Sequence, residues 1–205
     1  MAEPLMLRRS PLDRRLPVGT DATVGLREVR GRALVELRVA IGPDGSGVDG
    51  GAVASVLGVD LPAAGRIANG AGDQLAVWLG PGWWLLDAPE ADSSGSAELE
   101  SALVQRLRGV GLVSAVEVSA GFCILELVGP CAPDVLAHGC SIDLHPWAFR
   151  PDHTARTMLA KAQVVLAQVG SPANVSAPTY RIWVRTSFAR YLVAWLVDAA
   201  TEYLA

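Results

Sequence analysis

Residues 32–41 alternate cleanly. Ala33, Val35, Leu37, Val39 and Ile41 fall on one side of an extended chain, and Arg32, Glu36 and Arg38 on the other. This period of two predicts a strand with one face buried. Residues 24–30 form a strand before it, turning at Gly31. A loop over 42–51 leads to a short helix with Val53, Val56 and Leu57 on one face and Gly58 as its stop. Residues 74–79 and 83–87 predict a hairpin around Gly80-Pro81-Gly82. After a polar loop, Ser96 caps a helix whose apolar stripe is Leu99, Ala102, Leu103 and Leu107, ended by Gly109.

The second part of the chain repeats this order of elements. Strands at 113–118 and 122–128 meet near Ala120-Gly121. A helix spans 130–138, with Gly129 as N-cap and Pro130 as its first residue. Residues 143–153 are irregular. Strands at 155–162, 164–169 and 179–185 follow, and Ser187 caps a last helix reaching Tyr203. That helix carries two apolar stripes. Phe188, Tyr191, Leu192, Trp195 and Ala199 form the one expected to pack on the chain's own sheet. Val193, Leu196, Val197, Ala200 and Leu204 form the one expected to meet a partner subunit.

These elements predict an α+β fold of mostly antiparallel sheet with helices on one side, arranged as two ferredoxin-like strand-helix-strand halves. The expected organisation is an extended N-terminal arm over 1–23, a first half over 24–119 and a second over 120–205. The arm holds Arg8, Arg9, Arg14 and Arg15 and has no sustained periodicity. It is either a tail or a strap lying along an acidic partner.

Composition sharpens this picture. Of 205 residues, 51% are hydrophobic and only 19% charged, which suggests apolar surface covered by a partner. A net charge of −4 argues against general nucleic-acid binding. Three irregularly spaced cysteines fit a reducing compartment, hence the cytoplasm. No signal peptide is expected, and no apolar run is long enough for a membrane helix.

Residues 129–149 crowd Cys131, His138, Cys140, Asp143 and His145 together. Their C-x6-H-x-C-x4-H spacing departs from the short pairs of a structural zinc site. Cys131, Val135 and His138 share the apolar side of a helix, so a catalytic thiol is disfavoured. The cluster is expected to be structural, a zinc or redox site being the alternative. Residues 45–50 spell G-x-G-x-x-G, but the strand before them is polar on one face. A surface loop fits better than a dinucleotide site. Glu117 with Ser119, and Asp143 with His145, are expected to be structural hydrogen-bonding pairs. Lys161 either snorkels or binds an anion. Trp83 and Trp84, adjacent on a strand, face opposite ways. Trp183, between Arg181 and Arg185, either lies across its own sheet or anchors an interface.

Five motifs carry a resemblance across most of the chain: LGPGWWLL at 79–86, EVSAG at 117–121, GP…DVLAHGCSIDLHP at 129–146, LAKA at 159–162 and SFARYLVAWL at 187–196. In order and spacing they resemble the gamma subunit of heterotetrameric sarcosine oxidase, a relative of the glycine-cleavage T-protein fold. The chain departs from that pattern at Gly82-Trp83 and at Phe122-Cys123. The resemblance implies a non-catalytic structural subunit of a complex that oxidatively demethylates sarcosine to glycine. That complex uses oxygen and tetrahydrofolate, and releases hydrogen peroxide and 5,10-methylenetetrahydrofolate. It implies a direct alpha-subunit partner, with beta and delta subunits in the complex. FAD, FMN, NAD and tetrahydrofolate would sit in the larger subunits and zinc in the smallest. No catalytic, cofactor-binding or metal-binding residue is expected here. The expected interface residues are Arg8, Arg9, Arg14, Arg15, Trp183, Val193 and Val197. A stand-alone folate-binding or aminomethyltransferase-type protein is the alternative on the same fold.

Overall fold

The computed structural model describes residues 10–12, 16–40, 50–90, 95–108, 112–170 and 177–204. The elements run β1 (Val18–Thr20), β2 (Val24–Val29), β3 (Arg32–Val39), α1 (Gly50–Leu57), β4 (Ile67–Asn69), β5 (Leu75–Gly80), β6 (Trp83–Pro89), α2 (Gly95–Arg106), β7 (Val113–Glu117), β8 (Phe122–Val128), α3 (Ala132–Ala137), β9 (Thr154–Leu159), β10 (Ala162–Val169), β11 (Thr179–Arg185) and α4 (Thr186–Ala200). They build two sheets, ordered β1-β2-β8-β11-β10-β9 and β4-β5-β6-β3-β7, in which every strand pair is antiparallel.

The cores follow from alternation along these strands. Leu34, Val77, Leu85, Ile124, Val165 and Trp183 come from both sheets and pack together in the layer between them. Val35, Leu37, Ala76 and Leu86, on the opposite face of the second sheet, pack with Val53 of α1, Leu103 of α2 and Leu107 just past its end. Leu125, Leu127, Leu166 and Ile182, on the opposite face of the first, pack with Val135, Leu136, Leu192 and Leu196 of α3 and α4. The helices therefore cover the outer face of each sheet, and the sheets meet face to face.

Gly31 does not close a hairpin. β2 pairs with β8, from Gly25↔Val128 to Val29↔Ile124, whereas β3 pairs with β6 and β7. With φ +67, Gly31 lets the chain step from one sheet to the other. The boundary drawn at residue 24 consequently does not follow the sheets, because β1 and β2 belong with the strands after residue 120. The same crossing explains why the polar face of β3 is not a water face: it looks at the other sheet.

The segment over 1–23 is also more than an arm. Leu12 is 1% exposed inside the α3–α4 core, and residues 18–20 form an edge strand. Arg190 Nε donates to the carbonyl of Pro11 at 2.7 Å. Alternation is too short here to register in a sequence pattern.

On α4 the buried face takes members of both stripes. Ala189, Leu192, Val193, Leu196 and Ala200 are buried, while Phe188 and Tyr191 are 45% and 39% exposed. The face that fits the core is made of small and branched residues, which lets the helix lie close; Phe188 and Tyr191 tilt outward, while Trp195 packs in part against the core. Packing of α3 on α4 depends on Gly139, where a Cβ would sit 2.6 Å from Cζ2 of Trp195. α3 itself starts later than expected, with Cys131 as its cap residue and Pro133 inside its first turn. The turn between β9 and β10 falls at Ala160-Lys161, with Ala160 at φ +51.

Candidate functional site

Polar residues enter the layer between the sheets at two places. The first is a buried lattice centred on Asp87 of β6. Its Oδ1 accepts from Arg32 Nε at 2.6 Å, and its Oδ2 from Arg181 at 3.3 Å and from the indole of Trp183 at 3.0 Å. Arg181 also makes a two-pronged contact with Glu126 Oε1 at 3.0 and 2.8 Å. Arg27 closes on the other oxygen of Glu126 at 2.9 Å. Burial holds the Asp87 carboxyl above its ordinary value, against the pull of Arg32 and Arg181. Burial opposes the Arg181 cation, but Asp87 and Glu126 outweigh it and raise its pKa. Each charged group in the lattice meets an opposite charge, so the arrangement locks the sheets together.

The second place is the open end of the same layer. Residues opposite one another across a ladder share a face, so Arg38↔Trp83 and Arg156↔Val165 put both arginines in the gap, one from each sheet. Their guanidinium carbons lie 4.1 and 4.5 Å from the centroid of the Trp83 ring. Arg185 lies 4.3 Å from the ring of Phe122 and 4.0 Å from Glu36. Trp83 Nε1 is enclosed and lacks an acceptor among the described residues. Trp84 points the other way, as its place on the strand requires, and donates to the Pro62 carbonyl at 3.0 Å.

The cysteine-histidine segment disperses into local contacts. His138 Nε2 is 3.1 Å from Glu202 and 3.4 Å from the Tyr203 hydroxyl. Asp143 Oδ1 accepts from the backbone of His145 at 2.9 Å, and His145 Nδ1 from that of Trp147 at 3.3 Å. Cys140 forms a backbone bridge to Leu159. Among the described residues, no three His, Cys, Asp or Glu side chains converge as a metal site. Glu117 accepts the N–H of Ser119 at 2.9 Å, and the Ser119 hydroxyl meets the N–H of Leu34 at 2.7 Å, pinning the link between the sheets. Lys161 is exposed, and its backbone N–H donates to the Tyr191 hydroxyl at 3.2 Å.

A larger opening of about 480 Å³ lies beside the β2–β3 crossing, against Ser10, Glu28, Ser119 and Cys123. The Cys123 thiol there points at Glu28 at 3.8 Å. Burial, reinforced by Glu28, pushes it up to about 12, which keeps it protonated and a poor nucleophile.

Of the expected interface residues, Arg8, Arg9, Arg14 and Arg15 lie outside the described residues, as does most of the G-x-G-x-x-G loop. Trp183 is fully buried in the layer between the sheets, where its indole bonds Asp87 of the facing sheet. Val193 is 2% exposed and belongs to the chain's own core. Val197 is partly buried against that core. The arginine–Trp83 cluster was not expected. Its members are far apart in sequence, and only the facing of two sheets unites them.

The model of the family described as "Sarcosine oxidase, gamma subunit family" matches residues 44–202. The chain is 35% identical to a sarcosine oxidase subunit gamma of Arthrobacter sp., over 99% of this chain and 95% of that protein. It is 34% identical to the subunit gamma of Corynebacterium sp. (strain U-96), over 100% of this chain and 96% of that one. A solved structure of heterotetrameric sarcosine oxidase from Corynebacterium sp. U-96, in complex with pyrrole 2-carboxylate, contains a chain that superposes with a TM-score of 0.79. Identity there is 34%, and 97% of each chain is covered.

Proposed function

The chain belongs to the sarcosine oxidase gamma subunit family, and from that premise we propose that it is a non-catalytic scaffold subunit of a heterotetrameric sarcosine oxidase in the cytoplasm. The observation that carries this reading is the likeness over the full length, in sequence and in fold, to gamma chains of such enzymes. The polar groups of this chain support it. The charged groups buried between the sheets pair with one another, and the histidines and cysteines of residues 129–149 serve turns and helix ends.

In this reading the complex demethylates sarcosine oxidatively, with oxygen and tetrahydrofolate as co-substrates. This chain binds the alpha subunit directly, with beta and delta completing the tetramer. FAD, FMN, NAD, tetrahydrofolate and zinc are held by those other subunits. The described residues of this chain do not fit zinc, since they bring no three donors together. None of the described helices is long and apolar enough to cross a membrane. The N-terminal residues carrying Arg8, Arg9, Arg14 and Arg15 contribute to the contact with the partner.

Co-purification is the test. Tagged at its C-terminus and expressed from its native operon, the chain is expected to bring down larger flavin-containing subunits. The purified single chain is expected to form no peroxide from sarcosine. Recovery of the chain without partners, or peroxide formation by it alone, overturns the reading.

A further inference from the structure

The open end of the inter-sheet layer gathers three cations around one carboxylate, Glu36, among the described residues. Arg38 and Arg156 stack on the single indole of Trp83, and neither meets a carboxylate among the described residues. Among the described residues, Arg185, stacked on Phe122, meets the carboxylate of Glu36 at a marginal 4.0 Å. All three guanidinium groups are exposed, whereas Glu36 is largely covered. A chain with a net charge of −4 thus concentrates unbalanced positive charge at one spot. Two cations sharing one ring lie within about a screening length (~8 Å) of each other, so they repel. Stacking on the rings holds them in place and reduces the entropy lost when an anion binds.

The setting is that of a protein contact rather than a ligand site. The cavity among Trp83, Phe122, Arg156 and Arg185, with Glu36 as the one carboxylate on its wall among the described residues and Arg38 stacked outside it, is only about 50 Å³. It accommodates the tip of a carboxylate side chain, well short of the ~300 Å³ at the lower end for small-molecule sites. Apolar side chains flank it. Val116 stands opposite Glu36 on the edge strand β7 and is 50% exposed, and Met158 of the edge strand β9 is 47% exposed. Arginine on aromatic rings, rimmed by half-exposed apolar residues, is the composition of a binding hot spot.

We propose that the Arg38–Trp83–Arg156 stack, together with Arg185, is a socket that receives an acidic side chain from the large subunit on which this chain docks. This rests on the subunit reading above. The socket fixes the register of docking: without the incoming carboxylate three cations crowd one edge, and with it they form charge-assisted bonds.

The test uses the full-length chain co-expressed with the other subunits. The fraction of this chain retained in the purified complex is followed by size-exclusion chromatography as salt and dilution increase. Arg38→Glu/Arg156→Glu is expected to weaken retention at least about tenfold. Arg38→Gln/Arg156→Gln, which adds no new charge, is expected to weaken it less and to flatten its salt dependence. Arg156→Lys keeps the charge but loses the planar stack, and is expected to fall between wild type and Gln. If the Gln pair folds with an unchanged melting temperature and is retained like the wild type, the proposal is overturned. It is equally overturned if phosphate or citrate stabilises the wild-type complex through these arginines while assembly ignores their removal, because the occupant is then a free anion. If the wild-type chain joins no larger subunit at all, the subunit reading fails, and the socket fails with it.

Discussion

The indole N–H of Trp183 on β11 reaches Oδ2 of Asp87 on β6 at 3.0 Å, across the gap between the two sheets. These residues are 96 positions apart, and both are fully buried. The bond fastens one sheet to the other at the point where Arg32 and Arg181 also converge. Trp183→Phe removes the donor and part of the indole's packing area, and is expected to cost about 1–3 kcal/mol in urea unfolding. Asp87→Ala takes one carboxylate partner from each of two buried guanidinium groups, leaving Arg32 with Asp73 and Arg181 with Glu126, and is expected to cost more, about 3–5 kcal/mol. Equal effects of the two would mean that Asp73 and Glu126 suffice to hold the two arginines.

The orientation of α4 is directly testable. Leu196 is fully buried and Phe188 is 45% exposed. Leu196→Ala is expected to destabilise by about 2–5 kcal/mol, and Phe188→Ser to stay within about 0.5 kcal/mol. The reverse ranking in thermal melts would restore the stripe assignment expected from sequence.

Gly139 lets α3 end against Trp195. Gly139→Ala is expected to cost about 1–3 kcal/mol by overpacking. Trp195→Leu in the same chain is expected to recover part of it, giving a coupling energy of opposite sign in a double-mutant cycle. Strictly additive losses would place the strain elsewhere.

Cys123 and Tyr180 make the fold sensitive to alkali. Burial first, then Glu28, raises the Cys123 thiol from 9.0 to about 12; burial first, then Asp134, raises the Tyr180 phenol from 10.0 to about 12. The folded state keeps both protons where the unfolded chain has released them. Stability is therefore fully present below about pH 9 and falls as pH climbs from there toward 12. Urea midpoints are expected to drop across that window, and Cys123→Ala to flatten the drop. At about pH 8 a disulfide reagent is expected to label the half-buried Cys131 and Cys140 before Cys123.

The N-terminal segment is expected to divide into two functions. Leu12→Ala, which empties a core position, is expected to cost about 2–5 kcal/mol. Removal of residues 1–9 is expected to leave the melting temperature unchanged and to make assembly with the large subunit weaker and less salt-dependent. Association indifferent to that deletion would discharge Arg8 and Arg9 from the interface.

The class of fold and most elements were legible because strong alternation and glycine stops mark them: β3, the β5–β6 hairpin and α4 stand close to their expected bounds. Their partners were not. A strand's pattern states that one face is buried but not what covers it, so Arg32, Glu36 and Arg38 passed for a water face although they look at a second sheet. The short edge strands over 18–20 and 67–69 carry too few residues for a period to show. For Trp183, sequence placed it opposite Tyr180 and Ile182, which is correct, but could not supply Asp87, the acceptor that lets an indole be buried whole. The family likeness was visible in motifs at turns and helix ends, where Gly129 and Gly139 meet neighbours too closely for any side chain.

The crossing at Gly31 has a consequence for the nascent chain. β2 leaves the ribosome early, yet its ladder partner β8 follows roughly a hundred residues later, as the Arg27–Glu126 contact records with a separation of 99. The second sheet, β3 to β7, can close within the stretch already synthesised, whereas the first must keep an edge open until the final strand and α4 emerge. Such late, long-range pairing is slow and leaves an adhesive edge exposed meanwhile. Translation of the last third of this chain is thus the interval in which a chaperone, or the large subunit made alongside it, has most to protect.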